Sequence, residues 1–158
     1  LPVAIGDLRA GLLQAQIAGR FQVLPGRPAV ILDVAHNPHA ARALAASLRG
    51  FERGGRTLAV FSMLKDKDIG GVIAAVADVI DHWFVASAAT LRAAGVEMLA
   101  ERLAAVVPPG MLTRCESIAA AYAQACDMAA ENDRILVFGS FYTVAAVMEA
   151  RAERASRA

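Results

Sequence analysis

Cysteine is nearly absent from this chain: Cys115 and Cys126 are the only two in 158 residues. A domain of this size buries about two-thirds of its extended-chain surface on folding, so it needs no covalent staples. The two cysteines lack metal-ligand spacing and read as reduced, small apolar residues. Excess charge is missing too. Lys and Arg total 16 against 15 Asp and Glu, a net charge of +1. That balance gives no general pull toward nucleic acid or an acidic membrane and suits a small or local ligand. Although 57% of the residues are hydrophobic, much of this is Ala in helical patterns. No run reaches the roughly 18 uninterrupted apolar residues that a membrane span needs. With no secretory signal at the start, the expected compartment is the cytoplasm. The chain begins Leu1-Pro2-Val3 without an initiator Met, and is expected to be a piece of something longer.

Two chemical signatures are also missing. There is no G-x-x-x-x-G-K-[ST] loop and no G-x-G-x-x-G after a strand, so neither a complete ATPase nor a typical dinucleotide fold is written here. Nothing supplies a paired nucleophile and base. Ser140 lacks the flanking glycines of a nucleophile elbow.

What is present is an alternation of short apolar strands with amphipathic helices. Ile5, Leu8, Leu12, Leu13 and Ile17 predict a helix over 4–17, which Gly19 stops. Phe21 to Leu24 and Ala29 to Leu32 read as a hairpin around Pro25-Gly26. Pro38 opens a helix that Gly50 ends. Strands then follow at Thr57 to Phe61, Ile80 to Val85, Met111 to Arg114 and Ile135 to Phe138. Helices fall at Ile69 to Val76, Val96 to Val106, Ile118 to Ala130 and Thr143 to Arg154. Continuous apolar strands between helices predict a three-layer α/β/α, Rossmann-like domain. Its sheet should have about six mainly parallel strands, with one antiparallel member from the hairpin.

The chemistry-bearing residues fall where strands end and helices begin, the edge at which open α/β folds bind ligands. Asp33-Val34-Ala35-His36-Asn37-Pro38-His39 is the richest junction. Asp33 reads either as a carboxylate for ligand hydroxyls or a cation, or as a helix cap shared with Asn37. His36 and His39 have only His82 as a further imidazole. A zinc site needs three or four converging ligands, so hydrogen bonding suits His36 and solvation suits His39. Lys65 and Lys67, in Ser62-Met63-Leu64-Lys65-Asp66-Lys67-Asp68, read as a solvated loop or as neutralisers of an anionic substrate. Asp68 is placed to cap the next helix. In Phe138-Gly139-Ser140-Phe141-Tyr142-Thr143, Gly139 would let the backbone approach a ligand, and Ser140 or Thr143 would cap the helix or bind an anion.

Taken together, Gly19-Arg20-Phe21-Gln22, the Asp33 to Ala40 segment, Met63-Leu64 with Asp66-Lys67-Asp68, and Phe138 to Val144 closely resemble the carboxyl-terminal part of the bacterial dihydrofolate synthase/folylpolyglutamate synthases, in the Mur ligase group. The likeness runs in order from the first helix to about Glu149. It implies an ATP-dependent ligase that joins L-glutamate to dihydropteroate or folate through an acyl phosphate. It also implies an amino-terminal ATPase domain carrying the phosphate-binding loop and the Mg2+ ligands, so no metal ligand is expected in this chain. Residues 1–19 would be the linker helix from that domain and 20–158 the Mur ligase-type domain, inactive alone. Carried over by motif, Arg20 and Asp33 match the family's ATP-contacting residues, and His36 matches a histidine expected to organise the interdomain site. Lys65, Lys67 and Ser140 either touch substrate or shape loops. Two other readings stand beside this one: another Mur-type amino-acid ligase, and a non-catalytic α/β binding module.

Overall fold

The computed structural model describes residues 20–51 and 54–158, so the helix expected over 4–17 lies outside the described residues. The strands are β1 (Gln22–Leu24), β2 (Ala29–Leu32), β3 (Thr57–Phe61), β4 (His82–Val85), β5 (Leu112–Arg114) and β6 (Arg134–Phe138). The helices are α1 (Pro38–Gly50), α2 (Ile69–Val76), α3 (Val96–Ala104), α4 (Ile118–Met128) and α5 (Phe141–Ser156). One six-stranded sheet runs β1-β2-β6-β3-β4-β5. Only β1 is antiparallel to its neighbour. This is the mainly parallel, Rossmann-like architecture expected, antiparallel hairpin included.

Strands buried on both faces need no polar alternation, which is why Ala29–Leu32 and Thr57–Phe61 are apolar almost throughout and wholly buried. Period-two geometry sends alternate side chains to opposite layers. Ile31, Ala59, Phe61, Trp83, Leu136 and Phe138 meet α1, α2 and α3 through Leu44, Leu48, Ile73 and Leu99. Val30, Leu32, Leu58, Val60, Ile135 and Val137 meet α4 and α5 through Ala121, Tyr122, Val144 and Val147. Phe61, Trp83 and Phe138 form an aromatic trio with centroids 4.8 to 5.9 Å apart.

The amino end of the sheet is stapled by charge. Asp133 accepts from the backbone N–H of Arg56 at 2.7 Å and of Ala130 at 2.8 Å, and from the Arg56 guanidinium at 2.9 Å. Arg134 donates to Thr57 Oγ1 and to the Leu48 and Phe51 carbonyls, tying the end of α1 to β3 and β6.

The carboxyl end is built differently. β6 lies between β2 and β3. The helices after β2 and β3 cover one face, while the helix after β6 covers the other. Connections that part to opposite faces open a crevice at the strand ends, the switch point of an open α/β sheet. The residues following β2, β6 and β3 therefore border the crevice: Asp33, Ser140 and Ser62.

Candidate functional site

Asp33 follows β2 directly, and its backbone N–H still donates to Val137 O at 3.0 Å, so the residue is locked in sheet register. Its carboxylate is buried and takes two backbone donors. Ala35 N–H reaches Oδ1 at 2.7 Å, and Phe21 N–H reaches Oδ2 at 3.0 Å. Asp33 thus clamps the segment entering β1 to the end of β2, and leaves the capping of α1 to Asn37, whose Oδ1 accepts from Ala40 N–H at 2.8 Å. Burial pushes the Asp33 carboxyl above its ordinary value, opposed by the bonds from Ala35 and Phe21 and by the Arg20 charge. Each carboxylate oxygen has a second lone pair, so accepting capacity remains for a ligand.

Phe21 pays for this arrangement with a φ of +46°, the only positive φ at a non-glycine among the described residues. For a bulky L side chain the left-handed region costs about 1–2 kcal/mol. The Asp33 bond and an edge-on contact with Phe51, centroids 5.8 Å apart, hold it there. The turn brings Arg20, exposed, to the lip of a cleft of about 160 Å³ lined by Phe21, Asp33, His36, His39 and the α1 residues Ala40 and Leu44. Enclosed small-molecule sites run to about 300–1,000 Å³, so this is the size of one wall of a larger site. His36 Nδ1 lies 3.0 Å from Val34 O. A carbonyl only accepts, so Nδ1 carries a proton and Nε2 is the ring nitrogen left for a ligand.

Ser140 sits apart from this cleft at the end of β6. It is buried and caps α5, accepting from Thr143 N–H at 3.2 Å. Thr143 Oγ1 donates to Ser62 O at 2.9 Å. Since a hydroxyl has one proton, the 2.8 Å contact between Ser140 and Thr143 must run from Ser140 Oγ to Thr143 Oγ1. The result is a directed chain from Ser140 to Thr143 to the Ser62 carbonyl, joining the ends of β6 and β3. Gly139 takes a φ of +114°, and a Cβ there would strike Ser62 O. The close approach expected of Gly139 is therefore to the protein's own backbone.

Lys65 and Lys67 lie in the loop after β3, where Asp68 caps α2 through Gly71 N–H at 3.0 Å. Lys67 pairs with Asp66 at 3.6 Å. Backbone bonds join this loop to the one after β4: Lys65 N–H to Arg92 O and Ala94 N–H to Met63 O, both 2.9 Å. His82 begins β4 at the opposite end of the sheet from His36 and bonds Thr113 Oγ1 at 2.8 Å.

The structure thus brings Arg20, Asp33 and His36 together and keeps Lys65, Lys67 and Ser140 on neighbouring loops of the same edge. Sequence reasoning missed Phe21, and of its two candidates for the cap of α5, Ser140 and Thr143, the structure uses Ser140, while Thr143 bonds Ser62 O. Phe21 has no compositional signal, because nothing in Gly-Arg-Phe announces a left-handed residue. Thr143 had one, a Ser-x-x-Thr spacing across a helix start.

Comparison with known proteins gives the family. The family described as Mur ligase, glutamate ligase domain matches residues 19–141. The dihydrofolate synthase/folylpolyglutamate synthase of Escherichia coli is 42% identical over 149 residues, 94% of this chain and 34% of that protein. The chain spans about a third of the length of such relatives. Among solved structures, E. coli FolC in complex with DHPP and ADP superposes with a TM-score of 0.80 at 42% identity, covering 98% of this chain and 36% of that one. A bifunctional folylpolyglutamate synthase/dihydrofolate synthase with Mn, AMPPNP and L-glutamate bound gives 0.78 at 39% identity, over 96% of this chain and 36% of that one. The folylpolyglutamate synthase of Mycobacterium tuberculosis complexed with ADP gives 0.78 at 30%, over 83% and 31%.

Proposed function

Because the chain belongs to the Mur ligase family through its glutamate ligase domain, we propose that it is the carboxyl-terminal domain of an ATP-dependent ligase that adds L-glutamate to dihydropteroate and to folates. The observation carrying this reading is the Arg20, Asp33 and His36 cleft at the carboxyl end of β2, in a chain 42% identical to a protein solved with ADP.

The residues fit a nucleotide. Arg20 is an exposed guanidinium that offsets phosphate charge, and Asp33 keeps lone pairs for ribose hydroxyls. His36 presents Nε2 to the same cleft and organises the site where the two domains meet. ATP supplies the phosphoryl group: a substrate carboxylate takes it as an acyl phosphate, the glutamate nitrogen attacks that carbonyl, and phosphate leaves. This chain's part is to bind and orient the nucleotide and to close the cleft against water, which would hydrolyse the acyl phosphate. Lys65 and Lys67 supply positive charge for the acidic substrates, and Ser140 shapes the adjoining loop. Mg2+ belongs with the ATPase domain on this reading. Among the described residues no three His, Cys, Asp or Glu side chains gather, and Asp68 is engaged as a cap. No described helix is long and apolar enough to cross a membrane.

The test is ADP release by the full-length protein. Release that requires L-glutamate together with dihydropteroate or a folate supports the reading. Release that requires a UDP-linked sugar acid instead would assign the chain to another Mur-type ligase, and none with any acceptor would leave a binding module.

A further inference from the structure

β6 lies between β2 and β3, so the segments that leave β2 and β3 are not held together by strand pairing. They meet where α1 and α2 begin, since both helices cover the same face of the sheet. Pro38 is the first residue of α1, one place after the cap Asn37 and two after His36. Gly71 stands in the first turn of α2, and its N–H donates at 3.0 Å to Oδ1 of the cap Asp68. A Cβ at Gly71 would lie 2.7 Å from Cγ of Pro38 and would also strike Oδ2 of Asp68. The Asp68 carboxylate is the exposed end of a side chain that can turn aside, but Cγ of Pro38 belongs to a ring closed on the backbone. Non-bonded carbons rest about 3.5–4.0 Å apart, so any residue larger than Gly drives the two helix starts apart by about 1 Å. Ala is ordinarily preferred to Gly in a helix. At the neighbouring Gly70 nothing stands against it, for a Cβ there meets no atom within 4 Å.

We infer that Gly71 is a positioning residue for ligation: through its contact with Pro38 it sets the spacing between the segment after β2 and the segment from Lys65 to Asp68 after β3. The inference rests on the ligase reading above. On that reading Asp33 and His36 orient the nucleotide, while Lys65 and Lys67 face the acidic substrates. Reaction needs these partners aligned, and a misplacement of about 1 Å can cost on the order of 100-fold in rate. Binding asks for less, because the contacts that shape the segment after β2 are local to it. His36 keeps its bond to Val34 O, and Asn37 its cap on Ala40 N–H. Widening the gap between the helix starts therefore slows the reaction and spares the affinity for each partner.

The experiment measures kcat and the KM values for ATP and L-glutamate in the full-length protein, per folded molecule, for wild type, Gly71→Ala, Gly70→Ala and Gly71→Ala/Pro38→Ala. Gly71→Ala lowers kcat about tenfold or more and leaves both KM values within about twofold of wild type. Gly70→Ala, one residue away with open space for its methyl group, matches wild type. Pro38→Ala removes the ring carbon that the new methyl group meets, so the double variant recovers most of the lost kcat. A role in stability alone would lower the melting temperature and leave kcat per folded molecule unchanged. That result overturns the inference, as does a loss carried by either KM or a double variant that folds without recovering kcat. A Gly71→Ala that does not fold overturns it too, giving the glycine to the scaffold. If wild type ligates nothing, the ligase reading fails and the positioning role falls with it, whereas an active wild type matched by Gly71→Ala fails the positioning role alone.

Discussion

Asp33 holds the backbone N–H of Phe21 at 3.0 Å across twelve residues of chain, and in doing so keeps Phe21 in a left-handed conformation. One buried carboxylate thereby sets the direction from which the preceding chain reaches the sheet, and places Arg20 over the cleft. On the proposed reading the same carboxylate also meets the nucleotide, and the structural consequences can be separated from the binding ones.

Asp33→Asn removes one of two acceptors, because an amide can accept through its oxygen only. Either Phe21 N–H or Ala35 N–H then faces an NH₂ group. The expected loss is about 1–3 kcal/mol, the cost of an unsatisfied buried donor, read as a lower midpoint in urea with unchanged slope.

Asp33 and Asp133 should respond to pH in opposite senses. Asp33 is held above its ordinary value by burial, so the folded state binds its proton more readily than the unfolded state. Its contribution is present at low pH and is lost as pH rises through the raised value. For Asp133 burial pushes upward, but the bonds from Ala130 and from Arg56 outweigh it and hold the carboxyl below its ordinary value. That contribution is present above the unfolded-state value and is lost as pH falls through the depressed one. Asp133→Asn therefore flattens the acid limb of a stability profile, and Asp33→Asn steepens it.

Thr143→Val strands the Ser62 carbonyl and removes the acceptor of the Ser140 hydroxyl, all of it buried. A loss of about 1–3 kcal/mol follows, while Thr143→Ser retains most of the stability. Gly139→Ala is worse than either, since it forces a side chain into a positive φ and against Ser62 O together. Thermal melts should place Thr143→Ser highest, Thr143→Val below it and Gly139→Ala lowest.

Much of the scaffold was readable because local signals agreed with one another. Ala29–Leu32, Thr57–Phe61 and Ile69–Val76 begin and end as the sequence predicts, each bounded by Pro, Gly or a capping side chain. Where no such boundary exists the expectations overran. The helix expected to reach Val106 stops at Ala104, and the one expected to reach Ala130 stops at Met128, because Ala129 turns extended and Ala130 N–H is taken by Asp133. The strand expected from Ile80 begins at His82, since Asp81 is spent on Thr57 N–H. The motif resemblance put Asp33 and Arg20 on the working edge, and backbone geometry joined them. What no local pattern announces is long-range. Examples are the insertion of β6 between β2 and β3, the turn at Phe21 and the backbone bonds that join the loops after β3 and β4.

Arg20 gives the most direct test, because it is exposed and no hydrogen bond or ion pair holds its side chain among the described residues. On the proposed reading its guanidinium lies on the phosphates of ATP, so Arg20→Ala in the full-length protein should raise KM for ATP about tenfold or more, with an unchanged melting temperature. A KM for ATP equal to that of the wild type would contradict the placement of the nucleotide in this cleft.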